Sequence, residues 1–379
     1  MNHAKEYGMM NSDNIKHIRL EKGTIAMNLE QLTSSPVFFE KNRVYRVYLG
    51  GKGIAKFCDL PEEEDDFFPE EWIASCVKAI NPKYFGERDG VARPEGTDLF
   101  FDDLLKEYPE NLLGNRKYDC LVKYLDSAIR LPMQVHPTRE FAKKHFHSPY
   151  GKTEAWLVLA TRPGAKIYFG FNREITKEEL SELEERSETE RDIMSTILAG
   201  VDAKVGDVYL IRAGLIHAIG AGCTILEVQE PTDFTIQPER WCGDTHISTE
   251  EEYIGLDKST ALDCFDYSMV GEKALTSAKI EPETIQNENG VIIERLIGYE
   301  HTPCFAENRI TLCDGSYTPS FGPSVWIVLE GSGTIEGENY SRPVKKGDYF
   351  FLPFAAQNRF TLRGDGLVLA ECLPGKDNV

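Results

Sequence analysis

The chain has 379 residues, which is enough for two domains or one large double domain with a sizeable core. Its 42 Lys and Arg against 62 Asp and Glu give a net charge of −20, which argues against nucleic acid or a membrane as the main partner. The nine cysteines form no C-x-x-C pair, and no apolar run approaches the ~18 residues that span a bilayer, so we expect a soluble, cytoplasmic protein with reduced thiols. Oligomeric state stays open at this stage.

The first 35 residues are polar, mixed in charge and weakly periodic, and we interpret residues 1–35 as an N-terminal extension. From Pro36 the sequence changes to short strand-like runs, and the Gly50–Gly51 pair between two of them is a hairpin signal. The elements predicted before the central region are strands at Val37–Phe39, Arg43–Leu49, Gly53–Cys58 and Cys120–Leu131 and a helix at Leu99–Tyr108.

The clearest helical pattern lies in residues 173–200. Thr176 with Glu179, and Ser187 with Glu190, match the spacing of a capping box, in which side chain and backbone satisfy each other's free donors. An apolar face at helical spacing follows, and we expect it to pack against a sheet. That face consists of Ile193, Met194, Ile197 and Leu198.

Strand signals dominate the rest of the chain, and two of its segments occur twice. Glu154–Leu159 resembles Ser324–Leu329, and Gly206–Ile211 resembles Gly347–Leu352. We therefore predict a mainly β chain built from two copies of one β unit. The predicted units are residues 36–260, with a helical insert at about 173–200, and residues 261–379.

Four side chains in the first unit have the chemistry of metal ligands. Gln134 and His136 are two residues apart, so in a strand they point to the same face. Glu154 opens one apolar, strand-like run, and His217 follows another. Two nitrogen and two oxygen donors suit Zn²⁺, Mn²⁺, Fe²⁺ or Co²⁺. A folded barrel that brought the four together would make this chain a metal-assisted enzyme.

Only the first copy of the repeat carries these candidate ligands. When the two copies are overlaid, Glu154 falls on Ser324 and His217 falls on Asn358. The second copy therefore keeps the scaffold residues and loses the ligands. We predict that it is metal-free and serves as scaffold.

The motifs around these residues resemble a known family. Gly206-x₅-Arg212–Ala–Gly214-x₂-His217 resembles the second cupin motif, with Arg212 where proline is usual. The resemblance to type I mannose-6-phosphate isomerases, in their short bacterial form, covers roughly residues 36–379. The stretches that carry it are Leu131–Pro137, Tyr150–Trp156, Pro163–Tyr168 and Ala213–Gly220.

This resemblance implies a duplicated double-stranded β-helix, or bicupin, that interconverts mannose 6-phosphate and fructose 6-phosphate. It implies one Zn²⁺ in the first barrel, with another divalent transition metal possible, and ligands at Gln134, His136, Glu154 and His217. Lys152 matches a family lysine, and we expect it to act in proton transfer or polarisation. Lys123 matches a lysine assigned to phosphate binding.

Two positions depart from the family pattern. Pro132 stands where a serine is frequent, and Gln237 stands where an arginine normally supplies positive charge. We place Gln237 among the substrate-binding residues and expect Arg240, or else Arg212, to provide the charge as a catalytic or phosphate-binding group. The departures leave two alternatives open: a non-catalytic sensor that binds sugar phosphates, and a related isomerase that acts on another, unphosphorylated sugar.

Overall fold

The computed structural model describes residues 28–81, 86 and 88–378. Within these residues the chain is mainly β and forms two units, each with a seven-stranded sheet and a smaller sheet. The predicted fold class, a duplicated double-stranded β-helix with small helical insertions, is thereby confirmed. Residues 1–27 of the predicted extension lie outside the described part of the chain, and its end contains the helix Leu29–Ser34.

The strands follow one another closely along the chain. The first thirteen are β1 Val37–Phe38, β2 Arg43–Val44, β3 Glu70–Ile73, β4 Leu121–Ser127, β5 Glu154–Thr161, β6 Lys166–Phe171, β7 Leu198–Asp202, β8 Val208–Ile211, β9 His217–Ile219, β10 Cys223–Gln229, β11 Trp241–Cys242, β12 Thr245–His246 and β13 Lys279–Ile280. The remaining ten are β14 Glu283–Glu288, β15 Val291–Ile297, β16 Ala306–Leu312, β17 Gly315–Tyr317, β18 Ser324–Glu330, β19 Ser332–Gly337, β20 Tyr340–Lys345, β21 Tyr349–Leu352, β22 Thr361–Gly364 and β23 Leu367–Leu373.

Short helices connect these strands. The α-helices are α1 Leu29–Ser34, α2 Lys52–Phe57, α3 Phe101–Glu107, α4 Pro109–Leu112, α5 Arg139–His145, α6 Lys177–Ser187, α7 Thr249–Tyr253, α8 Lys258–Leu262 and α9 Glu272–Ala278. Three 3₁₀ turns lie at Ile193–Ile197, Phe354–Ala356 and Lys376–Asn378. Across the described ranges, no helix combines the length and the apolar character that a membrane span requires.

The sheet order is nearly the same in both units. The first unit has the large sheet β13-β8-β5-β10-β4-β3-β2 and the small sheet β7-β6-β9. The second unit has the large sheet β1-β21-β18-β23-β16-β15-β14 and the small sheet β17-β22-β19-β20. The register repeats as well: Glu154 pairs with Ile211 in the first unit, and Ser324 pairs with Leu352 in the second. The internal repeat seen in the sequence therefore corresponds to a structural repeat.

The two large sheets pack against each other through alternate residues of their central strands. One apolar cluster joins Ala155 and Leu157 of β5 to Val325 and Ile327 of β18. Trp156, between the first two, belongs to a different cluster inside the first unit. Because successive strand residues face opposite sides, a sheet buried on both faces needs apolar residues at nearly every position. This explains why these strands read as continuous apolar runs.

Two short strands cross the unit boundary that the sequence places between residues 260 and 261. The strand Lys279–Ile280 pairs with Val208 and Tyr209 in the large sheet of the first unit. Conversely, Val37–Phe38 pairs with Phe350 and Phe351 of the second unit. Each predicted unit therefore contributes one short strand to the edge of the other unit's large sheet.

The strand predicted at Gly53–Cys58 is wrong, because this segment forms the helix Lys52–Phe57. Its first turn is capped from a distance: the Asp126 carboxylate accepts hydrogen bonds from the backbone N–H groups of Gly51 and Gly53, at 2.8 and 2.9 Å. An anion at a helix N-terminus satisfies free donors and the helix dipole. The capping carboxylate lies 73 positions away from Gly53 in the sequence, so local sequence patterns could not indicate this helix start.

The helical insert is partly as predicted. Thr176 caps α6 by accepting a hydrogen bond from the backbone of Glu179 at 3.1 Å. The second capping box is wrong, because Ser187 ends this helix and its hydroxyl donates to the carbonyl of Glu184 at 2.6 Å. The apolar residues that follow form a 3₁₀ turn and then strand β7, which pairs with β6. These apolar residues are packed inward as predicted, but they form a 3₁₀ turn and a strand where the sequence predicted an α-helix.

A buried acid in the second unit leads to a stability prediction. Glu307 of β16 is fully buried, and neither carboxylate oxygen has a hydrogen-bond partner among the described residues. Burial raises the pKa of Glu307 to about 8, although Arg309 opposes the shift. The pKa in the unfolded chain is ~4.3. The folded protein therefore binds an extra proton between these values, and its free energy of unfolding falls as pH rises through that window.

We expect Glu307→Gln to raise the free energy of unfolding at pH 8 by roughly 1–3 kcal/mol and to change it little at pH 5. At pH 5 the wild-type carboxyl is already neutral in the folded state, so the amide resembles it. Urea denaturation of both proteins at the two pH values checks this. Glu338→Gln, at an exposed turn, is the matched control. An equal effect at both pH values would contradict the prediction.

Candidate metal centre

Three of the four predicted ligands come together in the first unit. One donor atom each from His136, Glu154 and His217 can be chosen so that all lie within 4.8 Å of one another, and all three side chains are buried. The centroids of the two imidazole rings are 4.8 Å apart. The structure therefore forms a compact His/Glu/His group that is able to bind a metal ion.

Strand pairing explains how residues far apart in sequence reach this position. Gln134 and His217 lie directly opposite each other, with reciprocal backbone hydrogen bonds of 2.9 Å. Side chains of such a pair project to the same side of the sheet. His136 lies two residues beyond Gln134 and therefore shares that side. Glu154 begins strand β5 of the large sheet, whereas His217 begins strand β9 of the small sheet.

Backbone carbonyls fix the tautomer of both imidazoles. Nδ1 of His136 lies 2.9 Å from the carbonyl oxygen of Phe234, and Nδ1 of His217 lies 2.9 Å from that of Leu215. A carbonyl only accepts, so each Nδ1 carries a proton, and Nε2 is the atom that each ring directs toward Glu154. The Nε2 atoms lie 3.1 and 3.3 Å from the two oxygens of Glu154.

The pKa shifts preserve this arrangement at neutral pH. Burial lowers the pKa of His136 to about 3, and the nearby ammonium of Lys152 adds to the shift. Burial alone would raise the pKa of Glu154, but Lys152 and His136 outweigh it and hold that pKa well below its usual range. The imidazole is therefore neutral and the carboxylate is ionised. These are the protonation states in which the two side chains bind metals.

The side-chain atoms that converge here are metal-ligand types, and one of them lacks a hydrogen-bond partner among the described residues. The Lys152 ammonium nitrogen lies 2.9 Å from Nε2 of His136 and 2.9 Å from Oε2 of Glu154. Nε2 of His217 is buried and makes no hydrogen bond within the described part of the chain. Nitrogen and oxygen donors in this arrangement fit a divalent transition metal. Such an ion would satisfy all three residues together.

The group opens into a cavity of about 650 Å³. Glu154, Lys152 and the side chain of Gln134 form part of its wall, so the fourth predicted ligand faces the same space. Lys123 and Gln237 also line the cavity. Five of the site residues that we predicted from the sequence thus line one cavity, and the two histidines, also predicted as ligands, are not among its lining residues.

Lys123 is buried and paired on both sides. Its ammonium lies 3.3 Å from Glu70 and 3.4 Å from Glu227. Burial opposes its charge, but these two carboxylates outweigh that effect and raise the pKa of Lys123. Burial and the charge of Glu154 raise the pKa of Glu227 to about 8. Lys123 is therefore a protonated lysine in the cavity wall at neutral pH.

Arg240 lies outside the residues that line the cavity. Its guanidinium contacts Glu184 at 2.6 Å and Glu252 at 2.9 Å, and both carboxylates are fully buried. Arg240 thereby anchors α7, the helix that contains Glu252 and whose Glu250 and Glu251 line the cavity. The structure does not bring Arg240 to the cavity as the sequence led us to expect. Arg212 is also directed elsewhere, toward backbone carbonyls of residues 277 and 301.

The cavity contains charged residues that sequence reasoning missed. Glu70, Glu227 and Asp233 contribute carboxylates, and Arg46 contributes a third cation to the wall. Glu227 had a usable signal, because a lone acid within the apolar strand Cys223–Gln229 costs energy unless it is paired. Arg46 and Glu70 gave no such signal. Their position in the cavity wall depends on the pairing of β2, β3 and β4, which local sequence patterns do not reveal.

These features define a duplicated cupin with a metal-binding group in its first unit, and known proteins share its sequence and fold. The chain is 30% identical over 350 residues to the mannose-6-phosphate isomerase ManA of Bacillus subtilis, covering 90% of the chain and 99% of that relative. A mannose-6-phosphate isomerase of Streptococcus mutans is 36% identical over 207 residues, 53% of the chain and 60% of the relative. No protein-family model matches the sequence.

The chain therefore belongs to the mannose-6-phosphate isomerase family, as its motifs predicted, and is an enzyme. The crystal structure of the mannose 6-phosphate isomerase from Bacillus subtilis has the same fold, with a TM-score of 0.69 at 23% identity. The alignment covers 89% of this chain and 99% of that structure. The family resemblance thus extends over nearly the whole length of the fold.

Proposed function

We propose that this chain interconverts mannose 6-phosphate and fructose 6-phosphate, with a divalent metal held by Gln134, His136, Glu154 and His217. Zinc is the first candidate, since nitrogen and carboxylate donors in an open set are typical of catalytic zinc. One observation carries the proposal: donor atoms of His136, Glu154 and His217 converge within 4.8 Å of one another, beside a cavity that is large enough for a small ligand.

The reaction moves a proton between C1 and C2 of the open-chain sugar through an enediol. When bound, the metal would polarise the sugar carbonyl as a Lewis acid. Lys152 is the chain's own group beside this position, because it lines the cavity and contacts two of the ligands. Its ammonium can donate a hydrogen bond to the sugar oxygen at C1 or C2 and move a proton there.

Groups farther along the wall suit the rest of the substrate. Lys123 offers a buried positive charge for the phosphate, and the Gln237 side chain faces the same cavity. The Gln237 amide also donates a hydrogen bond to the carbonyl of Glu251 at 3.4 Å. This contact connects Gln237 to helix α7. We include a cytoplasmic location in the proposal because all nine cysteines are free, as expected in a reducing compartment.

Isomerisation of an unphosphorylated sugar is the second candidate function. Two observations favour it. Gln237 and Pro132 line the cavity where the family resemblance leads us to expect an arginine and a serine. In addition, each cation in the wall already pairs with a carboxylate of the chain, as the contacts of Lys123 and Lys152 show. An uncharged sugar would leave these pairs intact.

A substrate panel distinguishes the two functions. We expect purified protein with bound zinc to convert fructose 6-phosphate far faster than free fructose or mannose. His136→Ala provides the background, because it removes a ligand without touching the groups proposed for the phosphate. Conversion of free mannose without conversion of the phosphate would establish the second function, and no conversion of any sugar above this background would contradict both.

A further inference from the structure

A row of alternating acidic and basic side chains crosses the cavity wall, starting beside the metal-binding group. Glu227 pairs with Lys123 at 3.4 Å, and Lys123 pairs with Glu70 at 3.3 Å. Glu70 then accepts from Nε of Arg46 at 3.1 Å, and Arg46 pairs with Asp233 at 3.0 Å. All five residues line the cavity. The guanidinium is therefore several side chains away from the metal ligands, at the other end of a continuous charged row.

Arg46 is held rigidly on one side. Glu70, its partner there, also accepts hydrogen bonds from the hydroxyl of Tyr48 at 2.5 Å and the indole N–H of Trp72 at 2.7 Å. The guanidinium carbon lies over the ring of Trp72, 5.2 Å from the centroid. A planar cation fixed by stacking and by Nε leaves its two Nη atoms to bind a second group. Those atoms contact Asp233, which also accepts from the backbone N–H of Ile80 at 2.7 Å, and Nη1 donates in addition to Oδ1 of Asn81 at 3.0 Å.

The contact with Asp233 has the geometry of an exchangeable ion pair. Nη2 and Nη1 of Arg46 lie 3.0 and 3.2 Å from the two oxygens of Asp233, a bidentate arrangement that a phosphate can reproduce. Both side chains retain some exposure, 12% for Arg46 and 8% for Asp233. The carboxylate keeps a buried cation paired when no substrate is present, and an unpaired one would be costly.

The same segment contains the position that lacks its expected charge. Gln237 stands four residues after Asp233 and lines the same cavity without a positive charge. We propose that Arg46 takes the role of the missing arginine: it binds the phosphate of the sugar, and Asp233 is the counter-ion that the phosphate displaces. This inference rests on the proposed function. It also makes Asp233 a specificity-determining residue, because an uncharged sugar cannot replace a carboxylate on the guanidinium.

Two variants should shift phosphate affinity in opposite directions. Asp233→Asn removes the competing charge, so inorganic phosphate and mannose 6-phosphate should bind about tenfold more tightly. Arg46→Lys keeps a positive charge but loses the planar fork, so both should bind about tenfold more weakly, with KM for the phosphorylated sugar raised and kcat nearly unchanged. Inorganic phosphate is measured as a competitive inhibitor and by titration calorimetry on the zinc-loaded protein.

The second unit offers matched controls. Arg309 and Glu294 form a similar bidentate pair, at 2.7 and 2.9 Å, outside the cavity. Arg309→Lys and Glu294→Gln should leave phosphate affinity unchanged. Thermal unfolding of all four variants separates a loss of folding from a change in binding.

The outcomes are distinguishable from those of the proposed function. If both cavity variants weaken phosphate binding, or neither changes it, while wild-type protein still converts fructose 6-phosphate, the exchange of Asp233 is wrong and the isomerase function stands. If the opposite shifts appear but wild-type protein converts no sugar phosphate, the anion site is supported and the isomerase function fails.

Discussion

Replacing His217 with alanine is expected to lower the turnover of fructose 6-phosphate by about 10³-fold, because a Lewis acid contributes several kcal/mol and each 1.36 kcal/mol is a factor of ten. The purified variant should also lose most of its zinc. In the wild-type protein, Nε2 of His217 is buried without a hydrogen-bond partner among the described residues, so we assign this atom to the metal. Elemental analysis of the purified protein and a coupled assay measure the two effects.

His246→Ala is the matched control for this variant. His246 is half exposed and pairs with Glu188 on the helical insert, away from the cavity. It should retain full zinc content and activity. Circular dichroism of both variants excludes loss of folding as the cause. Full zinc content in His217→Ala, with or without activity, would contradict the ligand assignment.

The metal-binding group was predictable because its ligands repeat a simple geometric rule. The two-residue spacing of Gln134 and His136 places both on one face of a strand, and the repeat indicates that only the first unit carries the full set of candidate ligands. What the sequence does not contain is the backbone environment of the imidazoles. The carbonyls of Phe234 and Leu215 decide which nitrogen is free, and carbonyls are present at every residue.

The anion-binding side was predicted less well, for a related reason. Arg240 is three residues from Gln237, so proximity in sequence suggested that it could replace the missing charge. The structure instead uses it to anchor α7 through Glu184 and Glu252. Arg46, in contrast, precedes the ligands by nearly 90 positions and enters the cavity only through long-range strand pairing. Such contacts depend on the register of several strands, which local patterns do not specify.

The second unit shows what the same scaffold becomes without a site. Trp326 pairs across the strands with Glu371, as Trp156 pairs with Glu227 in the first unit. Glu371 accepts a hydrogen bond from the neutral amide of Asn308 at 2.9 Å, where the first unit has a lysine ammonium. Both units therefore have a glutamate opposite this tryptophan, whereas the lysine and the predicted metal ligands occur together in the first unit. The scaffold role of the second unit stays a prediction.

Replacing Lys152 with methionine is expected to lower kcat by about 10²- to 10⁴-fold, the usual contribution of a positioned acid or base. Zinc content should stay stoichiometric, because Lys152 contacts the ligands without belonging to them. Methionine keeps the length and most of the volume of the side chain and removes the ammonium. The backbone N–H of residue 152 still donates to the carbonyl of Pro137 at 3.0 Å, so the local chain should keep its position.

The decisive comparison for this variant is between kcat and zinc content. Lys279→Met removes another lysine of the first unit, one that pairs with Asp207 outside the cavity, and should change neither quantity. A group that moves a proton or polarises the sugar oxygen affects the chemical step and leaves metal affinity alone. A group that merely holds Glu154 and His136 in place affects both. Loss of zinc in parallel with kcat would therefore assign Lys152 a structural role, whereas low kcat with full zinc content places its ammonium in the reaction.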